Sequence, residues 1–149
     1  MRARTIYLIK RVEVASRVML EAELKDLDLT PGQYATLSML APHAEISSSE
    51  LARRVLVTPQ SMSEMITALE RKGLIRRQEN QTNRRMLHIA LSPAGRALLE
   101  KAETRVDALE AELFAQLDPA EHEALRTGLE RVLADDRTDP LDKNRKRRA

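Results

Sequence analysis

The chain contains no cysteine. That excludes disulfides, thiolate metal centres and every thiol-based redox switch. It has no tryptophan, one phenylalanine, two tyrosines and only four glycines. None of the glycines builds a phosphate-cradling loop, and no nucleophile stands beside a base, so nothing points to an enzyme. His43, His88 and His122 lie far apart without ligand spacing, so no metal or other cofactor is expected. No apolar run approaches the ~20 residues that span a membrane. The N-terminal "MRARTIYLIKRVEVASRV" lacks the clean apolar run and cleavage site of a signal peptide. The chain is therefore expected in the cytoplasm.

What is present is charge. Charged residues make up 32% and hydrophobic residues 42% of 149 residues. That suits one soluble domain, which at this length buries roughly two-thirds of its unfolded surface. The net charge of +2 is unevenly spread. Residues 46–92 carry 8 basic and 4 acidic groups, net +4, whereas residues 93–137 carry 6 basic and 11 acidic, net −5. A basic middle and an acidic following segment suggest one face for a polyanion and another for something else.

Helix starts recur in one form. Thr30-Pro31, Thr58-Pro59, Ser92-Pro93 and Asp118-Pro119 each place a capping oxygen before a proline that has no donor to lose. Gln33, Glu50 and Glu121 stand three residues after Thr30, Ser47 and Asp118, the spacing of capping boxes. The pattern predicts six helices: about Thr5–Asp26, Pro31–Leu40, Ser48–Val55, Pro59–Lys72 with Gly73 as its stop, Pro93–Leu117 and Pro119–Asp136. "LIRRQE" (74–79) and "MLHIALS" (86–92) alternate like strands. The polar "NQTNRR" (80–85) between them reads as a hairpin loop.

The fourth helix is two-sided. At 100° per residue Met62, Met65, Ile66 and Leu69 share one face. Gln60, Glu64, Thr67 and Arg71 fall opposite, flanked by Ser61 and Ser63. Only Leu56-Val57-Thr58 separates it from the preceding helix, which is helix-turn-helix spacing. A helix in a major groove needs short hydrogen-bonding side chains near its N-terminus. A basic hairpin tip fits a minor groove, where the negative potential attracts arginine.

The stretch "ISSSELARRVLVTPQSMSEMITALERKGLIRRQENQTNRRMLHIALSPAGRALL", residues 46–99, resembles the MarR family of bacterial transcriptional regulators. Its run "ALERKGLIRR…NRRMLHIALSPAG" joins recognition helix, wing and long helix in the family's order. The resemblance implies a mainly α fold with a small β-hairpin wing. Residues 30–92 would form the winged helix-turn-helix lobe. Residues 1–29 and 93–137 would supply dimerisation helices, and 138–149 a basic tail. It further implies a homodimeric repressor that binds a near-palindromic double-stranded operator and is released by a small phenolic or aromatic effector.

The expected base-reading residues are Thr58, Pro59, Gln60, Ser61, Ser63, Glu64 and Thr67. Backbone and wing contacts fall to Arg53, Arg54, Arg76, Arg77, Arg84 and Arg85. Tyr7, Arg11, Tyr34, Met39 and His43 are effector-pocket candidates by position. Three positions depart from the family pattern. Asn83 replaces an aspartate that usually precedes the wing arginine. Leu56 replaces a frequent glycine, so no positive φ is expected there. Glu64 is free either to accept from a cytosine amino group or to hold Arg71 or Lys72. Two other readings stand beside a ligand-released repressor: a winged-helix protein–protein adaptor, and a DNA-binding protein that needs no ligand.

Overall fold

A computed structural model describes residues 2–43, 45–79 and 87–134. It contains α1 (Thr5–Leu24), a single 3-10 turn (Lys25–Leu27), α2 (Pro31–Leu40), β1 (Ile46–Ser47), α3 (Ser48–Val55) and α4 (Pro59–Arg71). These are followed by β2 (Ile75–Glu79), β3 (Leu87–Leu91), α5 (Pro93–Leu113) and α6 (Pro119–Leu133). The three strands form one antiparallel sheet in the order β1-β3-β2. Ile46 pairs with Ile89, and Ile75 with Leu91.

The capping oxygens act as the sequence predicts. Thr30, Thr58, Ser92 and Asp118 each accept from the backbone amide three residues on. The boxes at Thr30 and Asp118 close fully. The one expected at Ser47 does not. Ser47 Oγ accepts from the Glu50 amide at 3.2 Å, but the Glu50 carboxylate turns away to Arg53 and Arg54. Two guanidiniums offer it stronger partners than one backbone amide.

Several predicted bounds move. The predicted first helix breaks into a 3-10 turn after Leu24, and the last two helices stop earlier than expected. β1 was not expected, because two residues carry no readable period; its pairing with β3 creates it.

The core gathers Leu24, Leu37, Leu40, Leu51, Met62, Leu69 and Ile89, all at most 1% exposed. It lies between α2, α3, α4, the sheet and the first half of α5. Along α5 the buried row is Gly95, Leu99, Ala102 and Leu109, with Val106 packed beside it. Leu98 lies at the edge of this row, partly buried against the core. Gly95 sets this register. A Cβ there would stand 1.9 Å from the Leu74 carbonyl oxygen. Only glycine lets α5 approach the α4–β2 turn so closely. Ser92 completes the junction, its amide donating to Leu74 O at 3.0 Å and its hydroxyl to Gly73 O at 2.6 Å.

The outer helices differ. Of α1 only Leu24 is buried, and α6 buries nothing. Ile6, Ile9, Val14 and Val18, which recur at helical spacing along α1, are exposed, as are Leu125, Leu129, Val132 and Leu133 on α6. Both outer helices thus leave apolar side chains uncovered in the single chain.

Candidate nucleic-acid interface

The α3–turn–α4 unit begins with α3, whose end is closed by Leu56. Its amide donates to Arg53 O, and the Val57 amide reaches back to Ala52 O at 3.0 Å. This closure needs a left-handed residue. Leu56 supplies it at φ 60°, ψ 42°, contrary to the sequence expectation of an ordinary φ. The position keeps the geometry a glycine would adopt although a leucine occupies it.

Thr58 then starts α4, its hydroxyl accepting from the Ser61 amide and donating to Ser61 Oγ. Met62, Ile66 and Leu69 are buried beneath the helix. Met65 closes against Thr36, whose hydroxyl lies 2.8 Å from the Met65 sulfur and 2.8 Å from Gly32 O. The stripe thus seats α4 on α2 and α3, and five of the six polar residues proposed to face bases lie outward. Thr58, Gln60, Ser61, Ser63 and Glu64 are exposed, as is Pro59.

Thr67 is the exception. It is half-buried, donates to Ser63 O at 2.9 Å and accepts from Arg77 Nη2 at 2.9 Å. Arg77 also pairs with Glu70 through Nε at 3.1 Å. Its guanidinium therefore straps β2 to α4, where the sequence reading placed a backbone contact. Glu64 takes neither charged partner weighed for it; its carboxylate meets Gln60 Nε2 at 3.4 Å. Lys72 turns instead to Asp28 and Gln33.

Arg53 and Arg54 lie exposed on α3, both tied to Glu50, at 2.5 and 2.8 Å. The hydrogen bonds from Arg54 and then Arg53 hold the Glu50 carboxyl below its ordinary range. Arg54 Nη1 also meets His43 Nε2 at 2.9 Å. Arg76 is exposed on β2. With its amide turned to satisfy both neighbours, Gln78 accepts from Arg76 Nε and donates to Glu45, each at 3.1 Å. Arg84, Arg85 and Asn83 lie outside the described residues, as do the wing tip and residues 135–149.

The five effector candidates do not converge on one described cavity. Tyr7, Arg11 and Met39 are exposed on α1 and α2, and His43 is held by Arg54. Tyr34 faces α5. Burial, then the acidic Glu103, Asp107 and Glu110, raise its hydroxyl above the ordinary tyrosine value. A cleft of about 340 Å³ opens elsewhere, between the α1–α2 connection and the end of α4, lined by Glu21, Lys25, Asp28, Gln33 and Lys72 among others. None of the five reaches it.

The sequence marked Ser92 as a cap but not its hydroxyl bond to Gly73 O, and it gave no sign of the bonds from Arg77 to Thr67 or from Lys72 to Asp28.

Comparison with known proteins matches this arrangement. The MarR family model matches residues 29–87. The HTH-type transcriptional repressor Rv2887 of Mycobacterium tuberculosis is 35% identical over 129 residues, 87% of this chain and 93% of that protein. The structure of Rv2887 with p-aminosalicylic acid covers 89% of this chain and 100% of its own, with 33% identity and a TM-score of 0.73. A mutant MarR from E. coli in complex with operator DNA covers 85% and 91%, with 28% identity and a TM-score of 0.78. This chain, with its helix-turn-helix, three-stranded sheet and long helical arms, belongs to the MarR family of transcriptional regulators.

Proposed function

We propose that the protein is a cytoplasmic homodimer that represses transcription by binding a near-palindromic duplex operator and lets go when a small aromatic or phenolic compound binds. The observation that carries this reading is the two-sided α4. Its apolar stripe is buried and its N-terminal polar residues are presented to solvent at the lobe surface. Relatives support the rest: one MarR protein is seen with operator DNA and another with an aromatic acid. In this account residues 30–92 form the DNA-binding lobe. Residues 1–29 and 93–137 bring two lobes together through the apolar faces of α1 and α6, and 138–149 are a basic tail. Thr58, Pro59, Gln60, Ser61, Ser63 and Glu64 face the bases. Arg53, Arg54, Arg76, Arg84 and Arg85 face phosphates or the minor groove. Its role is binding, with no catalysis.

Two-fold symmetry sets half-sites about one helical turn, ~10 bp, apart. The test is binding of purified protein to the DNA upstream of its own gene, at several salt concentrations, followed by a screen of aromatic acids and phenols for release. A dimer whose affinity falls steeply with salt is the expected result. A protein that ignores DNA at every salt concentration would fit the adaptor reading instead.

A further inference from the structure

The connection between the arm and the lobe is held from both sides. After α1 and its 3-10 turn the chain reverses at Asp28, a left-handed residue at φ 53°. The Leu29 amide then reaches back to Leu24 O, and Leu29 is buried. On one side α5 grips this turn. Arg105 Nη1 donates to Glu23 O at 3.0 Å and lies 3.8 Å from Asp26. On the other side α4 grips it. Lys72, the residue that closes α4, places its Nζ 3.0 Å from the Asp28 carboxylate. The same ammonium donates to the Asp28 carbonyl and to Gln33 Oε1. Gln33 Oε1 also accepts from the Thr30 amide, closing the cap of α2. One ammonium thus joins three elements: the arm turn, the start of α2 and the end of the recognition helix.

We infer that Lys72 is a positioning residue that sets the angle of the recognition helix relative to the dimerisation arms, and through it the half-site spacing the dimer accepts. The inference rests on the DNA-binding reading above. In a dimer each lobe hangs from its arm, so the distance between two recognition helices depends on the arm–lobe angle. Along the short α1–α2 connection that angle turns about Asp28. Lys72 reaches from the far end of α4 to Asp28, so it resists rotation there. The core does not depend on the clamp. Asp28 is 89% exposed, and exposed ion pairs contribute little to folding. Removing Lys72 therefore changes orientation without unfolding the lobe.

The test uses the full chain and duplexes selected by the wild type from a random pool. Half-site centres are then moved by one and two base pairs in either direction. The wild type is expected to prefer one spacing by roughly tenfold or more per added or removed base pair. Lys72→Met should cut that preference to about threefold or less, with the melting temperature and the discrimination against a scrambled half-site unchanged. Lys72→Arg, which keeps the charge and the donors for Asp28 and Gln33, should restore it. Asp28→Asn keeps a residue tolerant of the left-handed turn and removes only the carboxylate. It should loosen spacing in the same direction. A phosphate contact by Lys72 would lower the salt slope by about one, and such a drop overturns the inference. So does a Lys72→Met protein that keeps wild-type spacing preference. A wild type that selects no sequence from the pool overturns the repressor reading, and this inference with it.

Discussion

Arg77 Nη2 stands 2.9 Å from Thr67 Oγ1, and its Nε stands 3.1 Å from Glu70. A strand of the wing and the middle of the recognition helix are joined by one guanidinium. Arginine suits the task, since its planar fork reaches two acceptors at once. The pair also engages the Thr67 hydroxyl, which leaves Thr58, Gln60, Ser61, Ser63 and Glu64 as the exposed polar residues at the start of α4.

Arg77→Ala should lower stability by about 1 kcal/mol, the scale of a partly screened charged hydrogen bond. Operator affinity should fall as the wing loosens, while the slope of log affinity against log salt stays at its wild-type value. Titrations at four salt concentrations check this. A slope smaller by about one would return Arg77 to the phosphate backbone.

Gly95→Ala should be among the most damaging single-methyl changes in the chain. The added Cβ would meet the Leu74 carbonyl oxygen at 1.9 Å, and backbone on both sides must move. Overpacking of this kind costs about 1–3 kcal/mol and sometimes more. Urea unfolding measures it. Gly128, whose Cβ position is open, is the control: alanine there should stabilise α6 by up to about 1 kcal/mol.

Leu56 holds a left-handed conformation with its side chain 54% exposed. Leu56→Gly should leave stability unchanged or raise it by up to about 1 kcal/mol, because the left-handed strain disappears while little packing is lost. Leu56→Val should lower it by about 1–2 kcal/mol, since a branched Cβ fits that conformation worse. Thermal melts of the two variants separate backbone strain from side-chain packing.

Burial keeps the Tyr34 hydroxyl protonated above the ordinary tyrosine value of 10. Its folded pKa is raised, so its contribution to stability is full below the unfolded value and is lost as pH rises through the folded one. An absorbance titration of phenolate should show a late phase that Tyr34→Phe removes. The variant's stability should also fall less steeply than the wild type's above pH 10.

The sequence was readable where a residue's partner is close in the chain. Thr30, Thr58, Ser92 and Asp118 marked four helix starts because each cap bonds an amide three residues away. The buried stripe of α4 followed from its period. What escaped was set across the fold. Lys72 finds Asp28 44 residues away, and Arg77 finds Thr67 from the neighbouring strand. Leu56 is left-handed because α3 closes in a motif that demands it, whatever the side chain. The stripe on α1 was visible, but its period could not say whether the partner surface lay in the same chain. In the structure it stays exposed.

If α4 reads bases with its exposed side and is only held in place by its buried side, substitutions on the two sides fail in different ways. The most direct measurement is a pair of titrations, operator and random duplex, on Gln60→Ala and Ser63→Ala, with a melting curve for each and Leu69→Ala beside them. Both surface variants should melt within the change expected of ~0.5 kcal/mol yet lose ~1–3 kcal/mol of discrimination for each good base contact removed. Leu69→Ala should lose roughly 2–5 kcal/mol of stability, with weaker binding only because the lobe loosens. Gln60 and Ser63 variants that keep full preference for operator over random DNA would contradict the account.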